Sequence, residues 1–387
     1  MTPPGILATV TSDLTHPASP PLHLSGVVLP DGERRELWVA NGVFHDGPVD
    51  GAVTVTRADT PSDTVSWIIP GLVDLHCHVG LSAHGAVPDD EAEAQALADR
   101  DAGVLLLRDA GSPADTRWMD DRVDLPRIVR AGRHLARTRR YIRNYGYEIE
   151  PEQLADYVAA QARRSDGWVK LVGDWIDRET GDLGPCWPRW ALDQAIRTAH
   201  ENGARVTAHV FGEQALGDLV AAGIDCIEHA TGLLACDTGL RDEMAARGVA
   251  IVPTLVNIDN FPTFAQAGEA KFPRYAAHMR DLHAGSRRNV AEAFEAGIRV
   301  YAGTDAGGTL PHGLVAREVV ELVGAGIPGE AAVGAASWEA RRFLLDESRW
   351  FTAGASADLV VLRADPRLEP RTLLEPDVIL LRGRVIA

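Results

Sequence analysis

Over the first 69 residues, short apolar runs alternate with turn-forming dipeptides. The runs at 22–29, 36–39, 51–57 and 65–69 are separated by Asp31-Gly32, Asn41-Gly42 and Asp46-Gly47-Pro48, pairs that favour tight turns. No helix-period stretch interrupts them, so this part predicts a small β module. Its start, up to Pro21, is rich in Pro, Ser and Thr and is expected to be loosely ordered. From Pro70 the pattern changes to strand-then-helix alternation. Apolar or β-rich strand candidates lie at 72–78, 103–107, 127–131, 168–172, 205–210, 226–230, 249–255 and 299–304. Between them run amphipathic segments opened by Pro88, Pro151 and Pro188, a residue that suits the first helical turn. Several close on Gly103, Asn202-Gly203, Gly223, Gly248 or Gly297, as helix C-termini do.

Eight such units across 70–345 predict an α/β fold, a (β/α)8 TIM barrel. The absence of a glycine-rich dinucleotide fingerprint counts against a doubly wound sheet. β-like runs return at 357–363 and 377–386. They are expected to join the N-terminal module, so that residues 1–69 plus 346–387 form one small β domain around the inserted barrel.

Composition narrows the function classes. With 55 Asp and Glu against 38 Lys and Arg, the net charge is −17, a field that repels phosphate and anionic membrane. Small-molecule substrates are therefore expected, with no nucleic acid and no membrane as partner; homo-oligomerisation is left open. The four cysteines, Cys77, Cys186, Cys226 and Cys236, are scattered without a CxxC pair, which fits a reducing compartment. Without a basic and apolar leader or a bilayer-length apolar run, the expected location is cytoplasmic.

Barrel active sites lie at the C-terminal ends of the strands, and polar residues of one kind collect there. The first strand ends in Pro-Gly-Leu-Val-Asp-Leu-His-Cys-His. His76 and His78, two apart, share a face of the strand, with Cys77 on the other. Imidazole is a common metal ligand, although two histidines at a strand end fit an ordinary polar edge equally well. Further along, strand four carries Lys170, strand five His209, strand six His229 and strand eight Asp305. Each has a bland explanation alone: a snorkelling lysine, a satisfied core histidine, a helix cap. Six bland explanations at five strand ends are less economical than one shared site.

These residues resemble the amidohydrolase superfamily of metal-dependent hydrolases, in particular its imidazolonepropionase-like and prolidase-like branch. The resemblance rests on the 70–78 stretch, Leu-Arg-Asp-Ala-Gly at 107–111, Trp-Val-Lys-Leu at 168–171, Ala-His at 208–209, Ile-Glu-His-Ala at 227–230, Val-Pro-Thr-Leu at 252–255, Gly-Thr-Asp-Ala-Gly at 303–307 and Ala-Asp-Leu-Val-Val-Leu at 357–362. It implies a barrel with a β-sandwich built from both chain ends. It also implies two divalent metal ions, most often Zn2+. His76, His78 and Asp305 would hold the more buried ion and His209 and His229 the other, with Lys170 carbamylated by carbon dioxide as the bridge. The implied reaction is hydrolysis of a C–N bond in a small substrate such as an N-acyl amino acid, a dipeptide or a cyclic imide, with Asp305 as the proton carrier. Members with one metal and an unmodified lysine deaminate heterocycles, and others open lactones. A non-catalytic relative is disfavoured, because six costly buried polar groups would serve nothing.

Candidate substrate contacts come from the loops. Seven arginines and no acid lie between Arg127 and Arg143. Arg133, Arg139, Arg140 and Arg143 are candidates for a substrate carboxylate, because the guanidinium fork matches that group. Prolidase-like members tend to carry Gly-Gly-His near this loop. Here His134 comes earlier and Arg-Arg-Tyr stands at 139–141, which argues against dipeptidase specificity. Long loops expected at 173–187 and 256–273 add Trp175 and Asn257, and His312 follows strand eight. Arg108 and Asp109 are expected to form a structural pair.

Overall fold

The computed structural model describes residues 20–56 and 65–386. The expected loose start at 1–19 lies outside the described residues, as does the end of the 51–57 run.

The strands of the two chain ends pair with each other. Trp67–Pro70 lies between Leu22–Val28, to which it is parallel, and Leu359–Leu362, to which it is antiparallel with Pro70 opposite Leu359. With Glu33–Ala40, Val43–His45, Val53–Thr54, Val378–Leu381 and Arg384–Val385 these strands make one eight-stranded sheet. Among the described residues the terminal segments thus form a single hydrogen-bonded sheet rather than two separate ones. Leu22–Val28 alternates buried and half-exposed positions along its length, the period-two signature of a sheet with one wet face. Its buried face packs Leu22, Leu24 and Val28 against Leu37, Val39, Phe44, Leu359 and Leu380.

The middle of the chain is a mixed α/β fold with a TIM-barrel-like arrangement. Leu72–Cys77, Val104–Asp109 and Arg127–Arg130 are parallel neighbours. Leu135–Arg137, Trp168–Val172, Arg205–Val210, Cys226–His229, Ala250–Val252 and Arg299–Val300 form a second parallel series. The end of this series returns to the first strand: Leu75 N–H donates to Ala302 O at 3.0 Å, and His78 N–H to Ala306 O at 2.8 Å. The strands are buried on both sides, as expected when helices cover the outside. Val73, Leu75, Leu106, Val129, Trp168 and Val252 fill one apolar cluster; Leu72, Val104, Leu107, Val169 and Val206 pack in another with helix residues such as Leu192 and Ile196.

The helix signals act where the sequence puts them. Asp89–Asp101 starts after Pro88 with Asp89, Asp90 and Glu91 in its first turn, carboxylates favoured at the positive end of the helix dipole. Pro151 opens a turn closed by a reciprocal Glu150/Gln153 capping box. Gly223 and Gly248 end their helices with φ of 95° and 70°, a conformation glycine adopts without a Cβ clash. No helix among the described residues is long and apolar enough to cross a membrane.

Two expected loops have structure of their own. Residues 173–187 form an antiparallel hairpin, Asp174–Asp177 with Asp182–Pro185. The stretch after the seventh strand folds into the helices Leu255–Ile258 and Phe261–Gly268. The apolar residues there, Ile258, Phe261 and Ala265, pack on Leu183, Phe211 and Tyr275, so burial orders segments whose length alone suggested irregular chain.

Candidate metal centre

All six strand-end residues meet at one end of the parallel strands. His76 Nε2 and His78 Nε2 lie 3.1 and 2.9 Å from the same oxygen, Asp305 Oδ1. Lys170 Nζ is 3.5 Å from His76 Nε2, and His229 Nε2 is 3.0 Å from His209 Nδ1. His76, His78 and Asp305 each offer a ligand atom, all within 4.8 Å of one another. His76, His78, Lys170, His209 and His229 are buried, at 5% exposure or less.

The far side of the rings shows what the near side lacks. His78 Nδ1 donates to Gly111 O at 2.7 Å, His229 Nδ1 is 2.7 Å from Thr254 Oγ1, and His76 Nδ1 is 2.9 Å from Glu228 Oε2. The Gly111 carbonyl can only accept, so His78 carries its ring proton on Nδ1 and keeps a lone pair on Nε2, and the Glu228 carboxylate beside His76 Nδ1 favours the same tautomer there. Nε2 of His76 and of His78 then both face the one Asp305 oxygen, an arrangement that is unfavourable unless a proton or a metal cation lies among them. This donor set fits divalent metal: imidazole and carboxylate are ligands that zinc accepts, and the outer acceptors fix the rings as metal sites require.

Backbone geometry explains how neighbouring residues can all point inward. On a regular strand Glu228 and His229 would face opposite sides. His229, however, has φ of 66°, and the following Ala230 has φ of 52°, so the chain turns at the strand end and both side chains reach the first strand. Thr254 and Asp305 share this left-handed conformation, at 49° and 60°. Strained non-glycine residues of this kind collect at functional sites.

Beneath the rings lies a buried ionic support. Glu228 takes the Arg108 guanidinium and the Thr207 hydroxyl on Oε1, opposite its contact to His76. Arg108 Nε also donates to Leu75 O at 2.7 Å. This corrects the expected Arg108–Asp109 pair: Asp109 accepts instead from Gly111 N–H at 2.8 Å. Burial opposes the Glu228 charge, but Arg108 and then His76 hold its carboxyl well below the usual range. Burial likewise lowers the Lys170 pKa, and no carboxylate among the described residues comes within 4.0 Å of it. Burial also pushes His209 and His229 well below the ordinary imidazole value. For Asp305, the imidazoles of His76 and His78 outweigh burial and keep the carboxyl well below its usual range.

A cavity of about 430 Å³ opens over these groups, lined by His78, His209 and Asp305 at one side and by Tyr141, Tyr145, Trp175, Phe211, Phe264, Phe272 and Tyr275 around it. Trp175 and Asn257 line it as expected, and Asn257 Nδ2 donates to Asp305 Oδ2 at 2.6 Å. The other expected substrate contacts do not. Arg140 binds Asp177 at 3.0 Å and the carbonyls of Trp175 and Gly184 at 3.1 and 2.8 Å, tying down the hairpin. Arg139 and Arg143 are exposed outside the cavity lining. Arg133 Nε donates to Tyr145 O at 3.1 Å. His312 Nδ1 is 2.7 Å from Asp99 Oδ2, so the ring fastens the loop after strand eight to the first helix.

Several neighbours escaped the sequence reading. Glu228 was visible as an acid inside an apolar strand, the one available signal. His134 is fully buried, with its ring centroid 5.1 Å from that of His78 and 5.3 Å from Tyr141. It therefore stands beside the centre despite its early place in the chain. The three lining tyrosines, Tyr141, Tyr145 and Tyr275, had no signal beyond being aromatic.

The amidohydrolase family model matches residues 67–385. The chain belongs to the amidohydrolase family. A protein of Mycobacterium tuberculosis (strain ATCC 25618 / H37Rv), described only as uncharacterized, is 55% identical over 368 residues, 94% of this amidohydrolase and 95% of the relative. Among solved structures, a putative prolidase from Bifidobacterium longum is similar with a TM-score of 0.78 and 21% identity, over 96% of this chain and 95% of that one. An Xaa-Pro dipeptidase with bound methionine gives 0.75 and 20% over 94% and 99%, and the A. niger ochratoxinase 0.74 and 18% over 95% and 95%. At these identities the structural likeness speaks for the fold of this amidohydrolase.

Proposed function

We propose that this amidohydrolase hydrolyses a C–N bond of a small amide, in the class of N-acyl amino acids, dipeptides and cyclic imides, with two divalent ions, zinc foremost. The observation that carries the reading is the set of ring nitrogens of His76, His78, His209 and His229 gathered around Asp305 and Lys170. His76, His78 and Asp305 would hold one ion and His209 and His229 the other. Burial of Lys170, with no carboxylate among the described residues within 4.0 Å of it, favours the neutral amine; that amine would add to carbon dioxide with loss of one proton, and the resulting carbamate would offer its oxygens to both. The ions would supply Lewis acidity, polarising a carbonyl and acidifying water.

The protein's own groups do the rest. Asp305 is the only carboxylate among the described residues that lines the cavity and is within reach of the centre. It would take the proton of the attacking water and pass it to the leaving nitrogen. Asn257 fixes the Asp305 carboxylate through Oδ2. The aromatic wall excludes bulk water and favours an apolar or aromatic substrate body. We further read the parallel strands as a closed (β/α)8 barrel, residues 70–345, beside the single sheet that the described parts of both chain ends build; the contacts from Ala302 and Ala306 back to the first strand support closure.

A second reading, a one-metal deaminase, draws on the tight His76, His78, Asp305 group. Metal-loaded enzyme is to be screened against N-acyl amino acids, dipeptides, cyclic imides, lactones and aminated heterocycles, with chelated protein as control. Metal-dependent release of an amine and a carboxylic acid supports the first reading. Ammonia from a heterocycle supports the second, and activity on lactones alone contradicts both.

A further inference from the structure

The sequence contains two lysines, Lys170 and Lys271. One lies in the candidate centre; the other is, among the described residues, the only Lys or Arg lining the cavity above it. Lys271 stands on the short turn between the helices Phe261–Gly268 and Pro273–Glu295, and its backbone N–H donates to Gly268 O at 3.0 Å. A Cβ at Gly268 would come within 3.0 Å of the Tyr275 ring, so the turn is packed closely on the cavity wall rather than standing free. The ammonium lies 5.1 Å from the centroid of Phe272. The nearest acid in sequence, Glu269, is engaged by Arg280 through contacts of 3.0 and 2.9 Å, and no carboxylate among the described residues pairs with Lys271. In a chain of net charge −17, this exposed cation at the mouth of an aromatic cavity thus has no carboxylate partner among the described residues. The arginine-rich stretch places none of its guanidinium groups there.

We propose that Lys271 selects substrates carrying a carboxylate remote from the scissile bond, at the far end of an aromatic or apolar body. The inference rests on the cavity being the substrate site. His78, His209 and Asp305 mark the buried floor where a bond would be cut, and Lys271 marks the exposed rim. Phe264, Phe272 and Trp175 line the wall, so a substrate spanning floor to rim is apolar in its middle and anionic at its outer end. The ring of Phe272 keeps water from one side of the ammonium, which strengthens its pairing with an anion relative to a fully solvated lysine.

The test uses two probes of one shape, 4-acetamidophenylacetate and the neutral 4-acetamidophenylacetamide. Affinity for metal-loaded protein is measured by calorimetry, and acetate release is followed in parallel. The wild type should bind the acid about fivefold more tightly than the amide, the scale of a partly exposed ion pair. In K271M that ratio should fall to about one, in K271R most of it should remain, and rising salt should reduce it. An acid-to-amide ratio of one in the wild type, a ratio unaffected by K271M, or no binding of either probe overturns the proposal. Discrimination in binding without acetate release leaves Lys271's role standing and counts against the C–N hydrolase reading. Release without discrimination does the reverse.

Discussion

Two regions looked like sites in the sequence, and the structure treats them in opposite ways. The six strand-end residues, spread from His76 to Asp305, converge until His76 and His78 face one carboxylate oxygen at 3.1 and 2.9 Å. The seven arginines of 127–143, adjacent in sequence, disperse. Arg127 faces Glu347 at 3.6 Å, Arg130 binds Asp120 and Asp166 at 2.9 and 3.3 Å, and Arg140 holds the hairpin. The difference lies in what fixes direction. Parallel strands share a register and end together, so the polar residues at their ends are brought to one point. A loop has no such rule, and its arginines turn to whichever carboxylates and carbonyls the fold supplies.

If convergence at the strand ends serves chemistry, Asp305→Asn should lower kcat by about 10²- to 10⁴-fold, the range for losing a general acid–base group. Steady-state rates on whichever substrate the screen finds, beside metal content by mass spectrometry, measure this; full turnover in the Asn variant at saturating metal contradicts the assignment. Below the centre, Glu228→Leu strands Arg108 in the interior. A cost of about 3–5 kcal/mol is expected from an uncompensated buried charge, read from urea unfolding. Little change would mean that water or another acceptor reaches Arg108.

A pH effect sharpens the picture at the cavity side. Burial pushes Glu318 up to about 8 even though it accepts the N–H groups of Leu255 and Val256 at 2.8 and 2.9 Å. A carboxyl raised in the fold above its unfolded value near 4.5 binds more protons folded than unfolded. Its contribution to stability is therefore complete below about 4.5 and is lost as the pH rises through about 8. Glu318→Gln should flatten the decline of the urea midpoint across that window. An unchanged slope in the Gln variant would assign the decline to other groups. The smallest effects belong to the dispersed arginines with exposed side chains. Arg139→Ala and Arg143→Ala should shift stability by no more than about 0.5 kcal/mol and leave KM as it was; a several-fold rise in KM would return that loop to the substrate site.

Legibility followed the same division. The strand at 168–172 and that at 205–210 stand where the apolar runs end, because a buried parallel strand must be apolar throughout. The strand-end cluster was readable for the same reason: a lysine or histidine inside such a run is costly and needs a purpose. Tertiary contacts decided the remainder. The last two strands are shorter than their apolar runs, Ala250–Val252 and Arg299–Val300, since the chain turns left-handed at Thr254 and Asp305, which no periodicity reveals. The partners of Arg108 and His312 are 120 and 213 residues away, beyond any local rule. His134 is an unpaired buried ring beside His78, and only the folded third strand shows that placement.

The central claim is that these imidazoles, one amine and one carboxylate exist to hold cations. Anomalous diffraction from crystals grown with zinc and bicarbonate tests it most directly. The account predicts one peak among His76, His78 and Asp305, a second at His209 and His229, and added density on Lys170 Nζ between them. Zinc-replete crystals with no peak among these rings, or with Lys170 and Asp305 turned away from them, would contradict it.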